Sequence, residues 1–488
     1  MIIFDLLKNY HMKNFYFLLL IFLITKSNGQ INSDPDPTFS FSALSANGNI
    51  NSIIVQPDNK ILVGGFILQS SNVKNLFRLN NNGTIDNTFN LPTVLQNIGT
   101  VHSIALQSDG KILVGVEIVT TASVPRLYRL NSDGSLDGTF NVGLGFNETP
   151  KAIALQSDGK ILVGGTFTSV NGISKNRIIR LNLDGSVDAS FNIGSGFNDD
   201  VLTIKVSPDG KILIGGDFNT YKGLAKKGLV RLNTDASIDN NFFIGVGPNN
   251  SVYSIYIQSD GKILVGGKFS LFNNNAAMCL ARLTSTGNFD TTFNIGNGFY
   301  HSSSIGENQS VKAITVSGSN IFVGGHFEQI DNISKENFAS LNMNGSIDAN
   351  FNIGTGFLGS VTDEINNIPI SVTCLTTQTD SKLLIGGNYK RYNSLNLNYI
   401  VRLFGNSLAV PSFLDSNISF YPNPASSVLY CFSNGLGYHY TICDISGKLL
   451  LTGDNNISGI DVSTLSKGMY IIETYFENSI YRTKFFKN

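Results

Sequence analysis

Two short stretches of the sequence combine residue types that could bind or transform a polar ligand. Their candidate side chains, in chain order, are Tyr300, His301, Glu307, Asn308, Asp363 and Glu364. Tyrosine, histidine and asparagine can hydrogen-bond hydroxyl groups, and a pair of carboxylates can act as acid and base on a glycosidic bond. Such residues are equally common in solvated loops. They form a candidate ligand site only if the fold brings the two stretches together.

Signatures of other catalytic or metal sites are missing from the sequence. The five histidines show no metal-ligand spacing such as HExxH, and the chain has no CxxC pair and no GxSxG elbow. A repeated Gly-Lys pair lacks the preceding glycine and the following Ser or Thr of a phosphate-binding loop, which favours a structural role for it. The sequence therefore predicts no catalytic residue, no metal site and no cofactor.

One recurring segment leaves calcium as an alternative. The pattern Asn-x-Asp/Asn-Gly-Ser/Thr-x-Asp occurs at residues 80–86, 131–137, 182–188 and 342–348. Oxygen ligands at alternate positions around a glycine can hold Ca²⁺, but the same residue types are the ones that tight turns select. We favour the turn, because a turn that every repeat needs explains the recurrence without an ion.

The composition excludes several classes of protein. The 488 residues include 34 Lys and Arg and 35 Asp and Glu, a net charge of −1, so the chain is not a polybasic nucleic-acid binder. Four cysteines are too few for a disulfide scaffold of this length, although Cys431 and Cys443 lie on candidate neighbouring strands and could pair. Tryptophan is absent, which argues against sugar-stacking platforms.

The N-terminus predicts export. Lys13 precedes ten apolar residues, 15–24, which are too few to span a hydrocarbon layer of ~30 Å as a helix. A polar segment that ends at Gly29 follows them. This order is typical of a secretory signal peptide, so we expect residues 1–29 to be removed and no transmembrane segment to remain.

Most of the chain is a repeat with a usual step of 51 residues. Two phrases mark it, Ser-Asp-Gly-Lys-Ile-Leu-Val-Gly-Gly and Asp-x-Thr/Ser-Phe-Asn, and each occurs seven times. The lysine position of the first phrase falls at 60, 111, 160, 211, 262, 320 and 382, and the phenylalanine of the second at 39, 89, 140, 191, 242, 293 and 351. In each unit, short alternating stretches separated by Asp-Gly and Gly-Gly signals predict four antiparallel strands and no helix.

Seven such units predict an all-β fold, a seven-bladed β-propeller over residues 30–410. The first Phe phrase precedes the first Lys phrase, and the seventh unit ends at residues 402–405 without a Phe phrase of its own. The N-terminal strand around Phe39 is therefore expected to close the last blade, because a closed ring leaves no exposed sheet edges.

The candidate ligand residues lie where the repeat is longest. Steps of 58 and 62 residues between the last lysine phrases place insertions at 299–310 and 357–369. Both insertions follow a Gly-x-Gly-Phe segment, so both are expected on the same face of the ring, between blades five and seven. Loops on a rigid scaffold often carry specificity, so this face is the predicted ligand-binding region.

The repeat resembles the delta-60 repeat family, a β-propeller-like repeat of bacterial secreted and surface proteins. The matching residues are the SDGKILVGGxF core, as at 157–167, and the RLNxDGSxDxxFN tail, as at 180–192. The resemblance covers residues 34–405 and departs from the pattern at Val116 and at 318–320. It implies the fold and exposure to the outside, and it implies no defined activity.

Residues 413–488 contain no copy of the repeat, and their short alternating runs predict a small β-sandwich. Its landmarks are Tyr421, Pro422, Asn423 and Pro424, then Asp444, Gly447, Asp461, Gly468 and Tyr470, and finally Lys484 and Lys487. In this order they resemble the type A sorting domain of the type IX secretion system of Bacteroidetes. The resemblance implies that an outer-membrane translocon is a partner, and that the protein is secreted or placed on the outer cell surface.

Three function classes remain open. The leading hypothesis is a non-catalytic secreted or surface protein that binds a glycan or a surface protein through its propeller loops. A carbohydrate-active enzyme, such as a glycosidase or lyase with its site near the two insertions, is the first alternative. A structural surface spacer is the second.

Overall fold

The structure, a computed structural model, describes residues 33–41, 48–69, 72–96, 99–118, 125–302, 309–359, 369–393, 395–397, 399–404, 419–432, 438–444, 448–455, 459–476 and 479–488. The predicted signal peptide lies outside these ranges. The chain forms two compact units, divided between Asn406 and Ser407. Within the described ranges the one helical segment is a 3₁₀ turn at Thr93–Leu95. Nowhere in those ranges is a helix long and apolar enough to cross a membrane.

Seven three-stranded antiparallel sheets, one for each repeat, make up the first unit. In blades 1 to 4 the strands are β1 (Gly48–Val55), β2 (Ile61–Gln69) and β3 (Asn72–Leu79); β4 (Thr100–Leu106), β5 (Ile112–Glu117) and β6 (Leu127–Leu130); β7 (Pro150–Leu155), β8 (Ile161–Gly165) and β11 (Ile178–Leu181); and β12 (Val201–Val206), β13 (Ile212–Gly216) and β16 (Leu229–Leu232). In blades 5 to 7 they are β17 (Val252–Ile257), β18 (Ile263–Gly267) and β21 (Leu280–Leu283); β23 (Ser310–Ser317), β24 (Asn320–His326) and β27 (Phe338–Asn342); and β29 (Val372–Thr377), β30 (Leu383–Gly387) and β33 (Ile400–Leu403). Each first strand contacts the first strands of both neighbouring blades, and β29 contacts β1. The seven-bladed β-propeller is therefore confirmed.

The fourth strand of each blade is shorter than the sequence predicts. In blade 3 it consists of one antiparallel bridge, between Leu181 and Val187, in place of a strand over 186–192. The chain turns directly after the bridge, because Asp188 Oδ1 accepts hydrogen bonds from both the amide and the hydroxyl of Ser190. An equivalent bridge occurs in each of the other six blades. The four antiparallel segments are therefore present, and the last has minimal length.

The N-terminal segment closes the ring as predicted. Pro35 forms the bridge to Leu403, and the amide of Asp36 donates to the carbonyl of Arg402 at 2.8 Å. Arg402 Nε donates to Asp36 Oδ2 at 2.9 Å, and its guanidinium carbon lies 4.8 Å from the ring centroid of Phe39. The fourth segment of blade 7 thus comes from the opposite end of the repeat array.

The residues that define the repeat form one charged network in most blades. In blade 2, Asp137 Oδ2 accepts from Arg129 Nε at 2.6 Å and lies 3.0 Å from Lys111 Nζ. The Arg129 guanidinium carbon lies 4.6 Å from the ring centroid of Phe140, and its Nη1 donates to the carbonyl of Leu183 in the next blade. The recurring Lys, Arg, Asp and Phe are therefore structural, and they tie each blade to its neighbour.

The glycine pair of the first phrase lies at a close contact between blades. A Cβ on Gly164 would lie 2.4 Å from Val201 Cγ1 of the next blade, and one on Gly165 would lie 2.1 Å from the carbonyl oxygen of Thr149. The first glycine thus lies against the next blade and the second against the start of the first strand of its own blade, and neither position has room for a side chain.

Blade 6 replaces the charged network with neutral donors. Asn320 stands at the lysine position and Ser340 at the arginine position. Asn320 Nδ2 donates to Asp348 Oδ2 at 2.7 Å, and Ser340 Oγ donates to the same oxygen at 3.2 Å. The two substitutions compensate each other, so the departure at 318–320 leaves the strands in place.

Acid is expected to destabilise the propeller through the network aspartates. Burial by itself would raise the pKa of Asp137, but hydrogen bonds from Thr139, Lys111 and Arg129 outweigh it and hold that pKa well below its usual range. The pKa is lowered in the same way at Asp86, Asp188 and Asp290. Because the folded-state pKa lies below the unfolded value, this stabilisation is present above about pH 4 and is lost as the pH falls further. We expect the urea midpoint of unfolding to fall most steeply below about pH 4, and an equal midpoint at about pH 5 and pH 3 would contradict this.

The ring has two faces with different connections. Because strand direction alternates, the turns after the first and third strands, such as 156–160 and 182–186, lie on one face, here called the turn face. The second-to-third connections and the segments between blades, such as 166–177 and 192–200, lie on the other, here called the hairpin face.

The connections expected as loops on the hairpin face form small hairpins in blades 3 to 7. Their strands are β9 (Ser169–Val170) and β10 (Ile173–Ser174), β14 (Thr220–Tyr221) and β15 (Leu224–Ala225), β19 (Leu271–Phe272) and β20 (Asn275–Ala276), β25 (Gln329–Ile330) and β26 (Ile333–Ser334), and β31 (Arg391–Tyr392) and β32 (Leu395–Asn396). Two segments between blades, β22 (Phe299–Tyr300) and β28 (Phe357–Leu358), pair with β25 and β31. The start of each insertion is thereby attached to a hairpin.

The second unit is a small β-sandwich, as predicted. One sheet has the order β34 (Ser419–Tyr421), β35 (Val428–Phe432), β38 (Ile460–Asp461), and the other has the order β37 (Leu449–Asn455), β36 (Tyr438–Asp444), β39 (Gly468–Phe476), β40 (Ser479–Lys487). Buried side chains of both sheets, including Leu429, Ile460, Ile442 and Phe485, form its core. The alternative of a Cys431–Cys443 disulfide is wrong, because Cys443 is a free thiol.

Candidate functional site

Tyr300 and His301 lie on the hairpin face of blade 6, as predicted. Tyr300 ends β22, and its carbonyl accepts a hydrogen bond from the amide of Glu328 at 2.9 Å. Its side chain is 53% exposed. The other four residues of the predicted ligand site, Glu307, Asn308, Asp363 and Glu364, lie outside the described residues.

Blade 6 places a second histidine and the carboxylate of Glu328 close to His301, and the charge of Glu328 acts in turn on Glu336. The rings of His301 and His326 lie 4.1 Å apart between centroids at an angle of 33°. His301 Nε2 is 3.5 Å from Glu328 Oε1, and the amide of Ser302 donates to Glu328 Oε2 at 3.0 Å. His326 is buried, and its Nδ1 donates to the carbonyl of Ile370 at 2.8 Å.

The two carboxylates of this group differ in their proton affinity. Burial would raise the pKa of Glu328, but hydrogen bonds from Ser302 and the nearby His301 and His326 lower it below its ordinary value. Burial, and next the charge of Glu328, raise the pKa of Glu336 to about 7. The group thus combines an ionised carboxylate, a carboxyl group that exchanges protons near neutrality, and imidazoles. Such groups can hydrogen-bond hydroxyls or transfer protons.

A variable position that sequence reasoning missed also lies on this face. It directly follows the glycine pair, at the end of the second strand of each blade. Its occupants in blades 1 to 7 are Phe66, Glu117, Thr166, Asp217, Lys268, His326 and Asn388. The signal was present in the sequence, because this position changes in every copy of a phrase that otherwise hardly changes.

Two of these variable residues take part in charged groups between blades. Glu117 Oε2 is 2.5 Å from His102 Nε2, which is 3.2 Å from Lys151 Nζ of blade 3. Burial and the charge of Lys151 lower the pKa of His102, while the hydrogen bond from His102 lowers that of Glu117. In blade 4, burial raises the pKa of Asp200 and of Asp217, whose amide donates to the carbonyl of Asp200.

The hairpins add exposed aliphatic side chains to the same face. Ile173, Leu224, Ile333 and Leu395 each begin the outer strand of their hairpin, with exposures of 62%, 57%, 51% and 47%. Exposed apolar residues that recur on one face are a feature of interaction surfaces. The hairpin face therefore combines apolar, charged and hydrogen-bonding groups.

The turn face uses its polar groups internally. Asp133 Oδ1 accepts hydrogen bonds from the amide of Ser135 at 2.9 Å and from its hydroxyl at 2.6 Å. The corresponding contacts occur at Asp184 and Asp235. The turn interpretation accounts for these oxygens, and calcium stays the less favoured alternative. Among the described residues, no group of three or more His, Cys, Asp or Glu side chains is arranged to hold a metal ion.

The landmarks of the C-terminal module converge at one end of the sandwich. Asn423 Oδ1 accepts from the amide of Phe486 at 2.8 Å, and Gly468 pairs with Lys487. The Tyr470 hydroxyl donates to the carbonyl of Ser466 at 2.8 Å.

The remaining landmarks are either in turns or solvent-exposed. Asp444 Oδ1 and Asp461 Oδ1 accept amide hydrogen bonds at 3.0 and 2.8 Å within their turns. Pro422, Pro424 and Lys484 are exposed. Tyr421 is described only by its backbone pairing with Tyr430, and Gly447 lies outside the described residues.

The fold and these landmarks define a seven-bladed β-propeller protein with a C-terminal sorting sandwich. A family described as "Domain of unknown function (DUF5122) beta-propeller" matches residues 56–89, 107–140, 156–191, 207–242, 258–293, 320–351 and 378–407. A second family, "Secretion system C-terminal sorting domain", matches residues 419–488. The chain belongs to the β-propeller proteins that carry this sorting domain. The sorting domain indicates export to the cell surface or secretion, which confirms the predicted localisation.

Solved structures with similarity to the chain include bacterial surface proteins. PorZ, an essential surface component of the type IX secretion system of Porphyromonas gingivalis, shares 13% identity at a TM-score of 0.45, over 92% of this chain and 60% of PorZ. The extracellular domain of a one component system from B. thetaiotaomicron shares 11% identity at a TM-score of 0.42, over 93% of this chain and 57% of that one. The chain thus spans less than two thirds of the length of either protein. No curated protein sequence matches it.

Proposed function

We propose that the protein is a non-catalytic binding protein of the outer cell surface, exported by the type IX secretion translocon, and that its hairpin face holds the ligand. The observation that carries the proposal is the variable position after the glycine pair. Residues that maintain the propeller are repeated almost unchanged, whereas this position differs in all seven blades. Diversity at a position beside the loops of a regular scaffold is expected of a binding surface.

The charged groups on the hairpin face suit binding better than turnover. Glu117 and His102 engage each other, and Arg177 Nη1 lies 2.6 Å from Asp200 Oδ1. Such mutual pairing holds side chains in fixed positions from which they can hydrogen-bond a ligand. The group around Tyr300 supplies a hydroxyl, imidazoles and carboxylates, which are the partners that a hydroxyl-rich glycan requires.

One observation favours a carbohydrate-active enzyme as the second candidate. Glu336, with its pKa of about 7, lies in the same blade as Glu328, which is ionised and paired with His301. An acid and a base with separated pKa values are a common arrangement in polysaccharide cleavage.

The two candidates are separated by binding and turnover measurements on variants of the hairpin face. Tyr300→Ala and Glu336→Gln would be screened against a glycan array and a panel of polysaccharides, with Leu183→Ala as the control. Leu183 is 54% exposed on the turn face, so its variant is expected to match the parent protein.

For a binding protein, we expect Tyr300→Ala to weaken glycan binding by about 10-fold or more, since Tyr is frequently a dominant contact residue, with no turnover by any variant. Turnover that is lost in Glu336→Gln would establish the enzyme instead. Retention of all binding in both variants would contradict a ligand site at blade 6.

A further inference from the structure

The outward face of the four-stranded sheet in the sorting sandwich has an ordered arrangement of side chains. The registers of β36, β37, β39 and β40 place one residue of each strand in a single row across the sheet. From edge to edge, this row is Leu449, Cys443, Ile471 and Lys484. Next to it lies the cross-strand pair Met469 and Phe486.

These residues point away from the core. Side chains alternate along a strand, and the neighbours Tyr470 and Phe485 are buried, with ring centroids 5.7 Å apart. In contrast, Leu449 is 54% exposed, Phe486 45% and Met469 39%. We call Leu449, Cys443, Ile471, Met469 and Phe486 the apolar patch. Because Leu449, Met469 and Phe486 are exposed, they contribute little to the folding of the sandwich, and their apolar character needs another explanation.

Basic side chains surround the apolar patch. Lys448 precedes Leu449, Lys467 lies two residues before Met469, and Lys484 ends the row described above, and all three are exposed. The acidic landmarks at this end are engaged in their own turns, where Asp444 Oδ1 and Asp461 Oδ1 accept backbone amides. The patch therefore has a positive border.

Further along the same sheet face, the side chains that the structure describes are polar. Thr452, Thr441 and Glu473 form the next row across the sheet. Beyond them, His439 Nδ1 lies 2.8 Å from Asp454 Oδ1. Among the side chains that the structure describes on this face, the apolar ones lie at the end where the sorting landmarks converge, and this coincidence connects the patch with sorting.

We propose that the apolar patch is the surface by which the export machinery recognises the sorting sandwich, an inference that rests on the proposed reading of this module by the translocon. The partner surface would present apolar side chains to the patch and carboxylates to the lysines around it. An apolar centre with a charged border is the usual organisation of a specific protein interface, and complementary charge favours encounter.

The test uses the full-length chain in its native host. Two variants place carboxylates in the patch from different strands, Leu449→Glu and Met469→Glu/Phe486→Glu. Thr452→Glu is the matched control, because it adds the same charge at the polar end of the same sheet face. The exported fraction is measured in the medium and on the cell surface, and the remainder in the periplasm. Protease resistance of the sandwich in the periplasmic fraction shows whether each variant is folded.

We expect both patch variants to lower export by about 10-fold or more while the sandwich stays protease-resistant, and Thr452→Glu to be exported like the parent protein. A third variant, Met469→Lys/Phe486→Lys, should be exported better than the glutamate pair, because lysine does not repel an acidic partner. Normal export of both folded glutamate variants would overturn the inference. Loss of a dimer in these variants with export unchanged would also overturn it, because the patch would then only join two copies of the chain.

Failure of this inference can be distinguished from failure of the proposed function. If removal of residues 413–488 abolishes export while the patch variants are exported normally, the module is a sorting signal and only the assigned surface is wrong. If the truncated chain is itself exported, the proposed reading of the module by the translocon fails.

Discussion

Replacement of Arg402 with leucine is expected to lower the free energy of unfolding of the propeller by about 3–5 kcal/mol, because it removes the partner of a buried carboxylate. Asp36 is 2% exposed, and Arg402 Nε is 2.9 Å from its Oδ2. Lys382 Nζ, at 3.3 Å from the same oxygen, compensates only in part. Arg402 also donates to the carbonyl of Asn81 in blade 1 at 2.5 Å. The substitution thus weakens the junction at which the two ends of the repeat array meet.

Arg180→Leu is the matched control for this prediction. Arg180 has the same contacts in blade 3, with Nε 2.7 Å from Asp188 Oδ2, but there the third and fourth segments are consecutive in the chain. Urea unfolding should show comparable losses in both variants. Amide exchange should separate them, because only Arg402→Leu releases the segment 33–41, including the Asp36 amide that donates to Arg402. Equal protection of that amide in both variants would contradict the assigned closure.

The propeller could be predicted from the sequence because its stabilising contacts are repeated. Six blades carry the full Lys, Arg, Asp and Phe set and build the same network, and blade 6 keeps its Asp and Phe, so seven copies of the repeat indicate seven equivalent sheets. The displaced Phe39 phrase also indicated the closure, since a strand missing from one end had to come from the other. Both conclusions depend on the spacing of residues and not on any single side chain.

The fourth strand was overestimated for a physical reason. Alternation over 186–192 indicates a strand, but the Asp188 carboxylate accepts two hydrogen bonds from Ser190 and turns the chain after one bridge. The opposite error occurred at the small hairpins of the hairpin face, whose strands, only two residues long, were not predicted. Their tips, such as Asn-Gly in blade 3 and Lys-Gly in blade 4, resemble loop sequence, and tertiary pairing decided their conformation.

The blade 6 group was only partly predictable. Tyr300 and His301 were found because an insertion made them conspicuous. His326, Glu328 and Glu336 lie in the regular part of the same repeat, and the pairing of β22 with β25 brings His326 and Glu328 to His301. Comparison of the seven copies position by position would have singled out His326, since the residue after the glycine pair varies. Nothing in the sequence indicates that burial shifts the pKa of Glu336.

In the sorting sandwich, the strand runs were predictable but their order in the sheets was not. The five runs, from 428–432 to 479–485, correspond to β35, β36, β37, β39 and β40. Cys431 and Cys443 lie on strands that follow each other in the chain and belong to different sheets. Sequence proximity suggested a pair of neighbouring strands, whereas β35 pairs with β34 and β38, and β36 pairs with β37 and β39.

Removal of residues 413–488 is expected to abolish export and to leave the propeller folded in the periplasm. The landmarks that identify the sorting domain all lie in this segment. The contacts that close the ring lie within residues 33–404, so the truncation removes none of them. The two parts are also separate compact units, which makes independent folding of the first unit the expected behaviour.

The measurement is the distribution of the truncated chain between periplasm and exterior, compared with the full-length chain. The control is protease resistance of the periplasmic propeller, because a chain trapped through misfolding would be degraded. A folded propeller that still reaches the exterior at the full-length level would contradict the sorting role of the module. A folded propeller confined to the periplasm would instead show that the repeat carries no export information, since every surface of the ring would be present without being recognised.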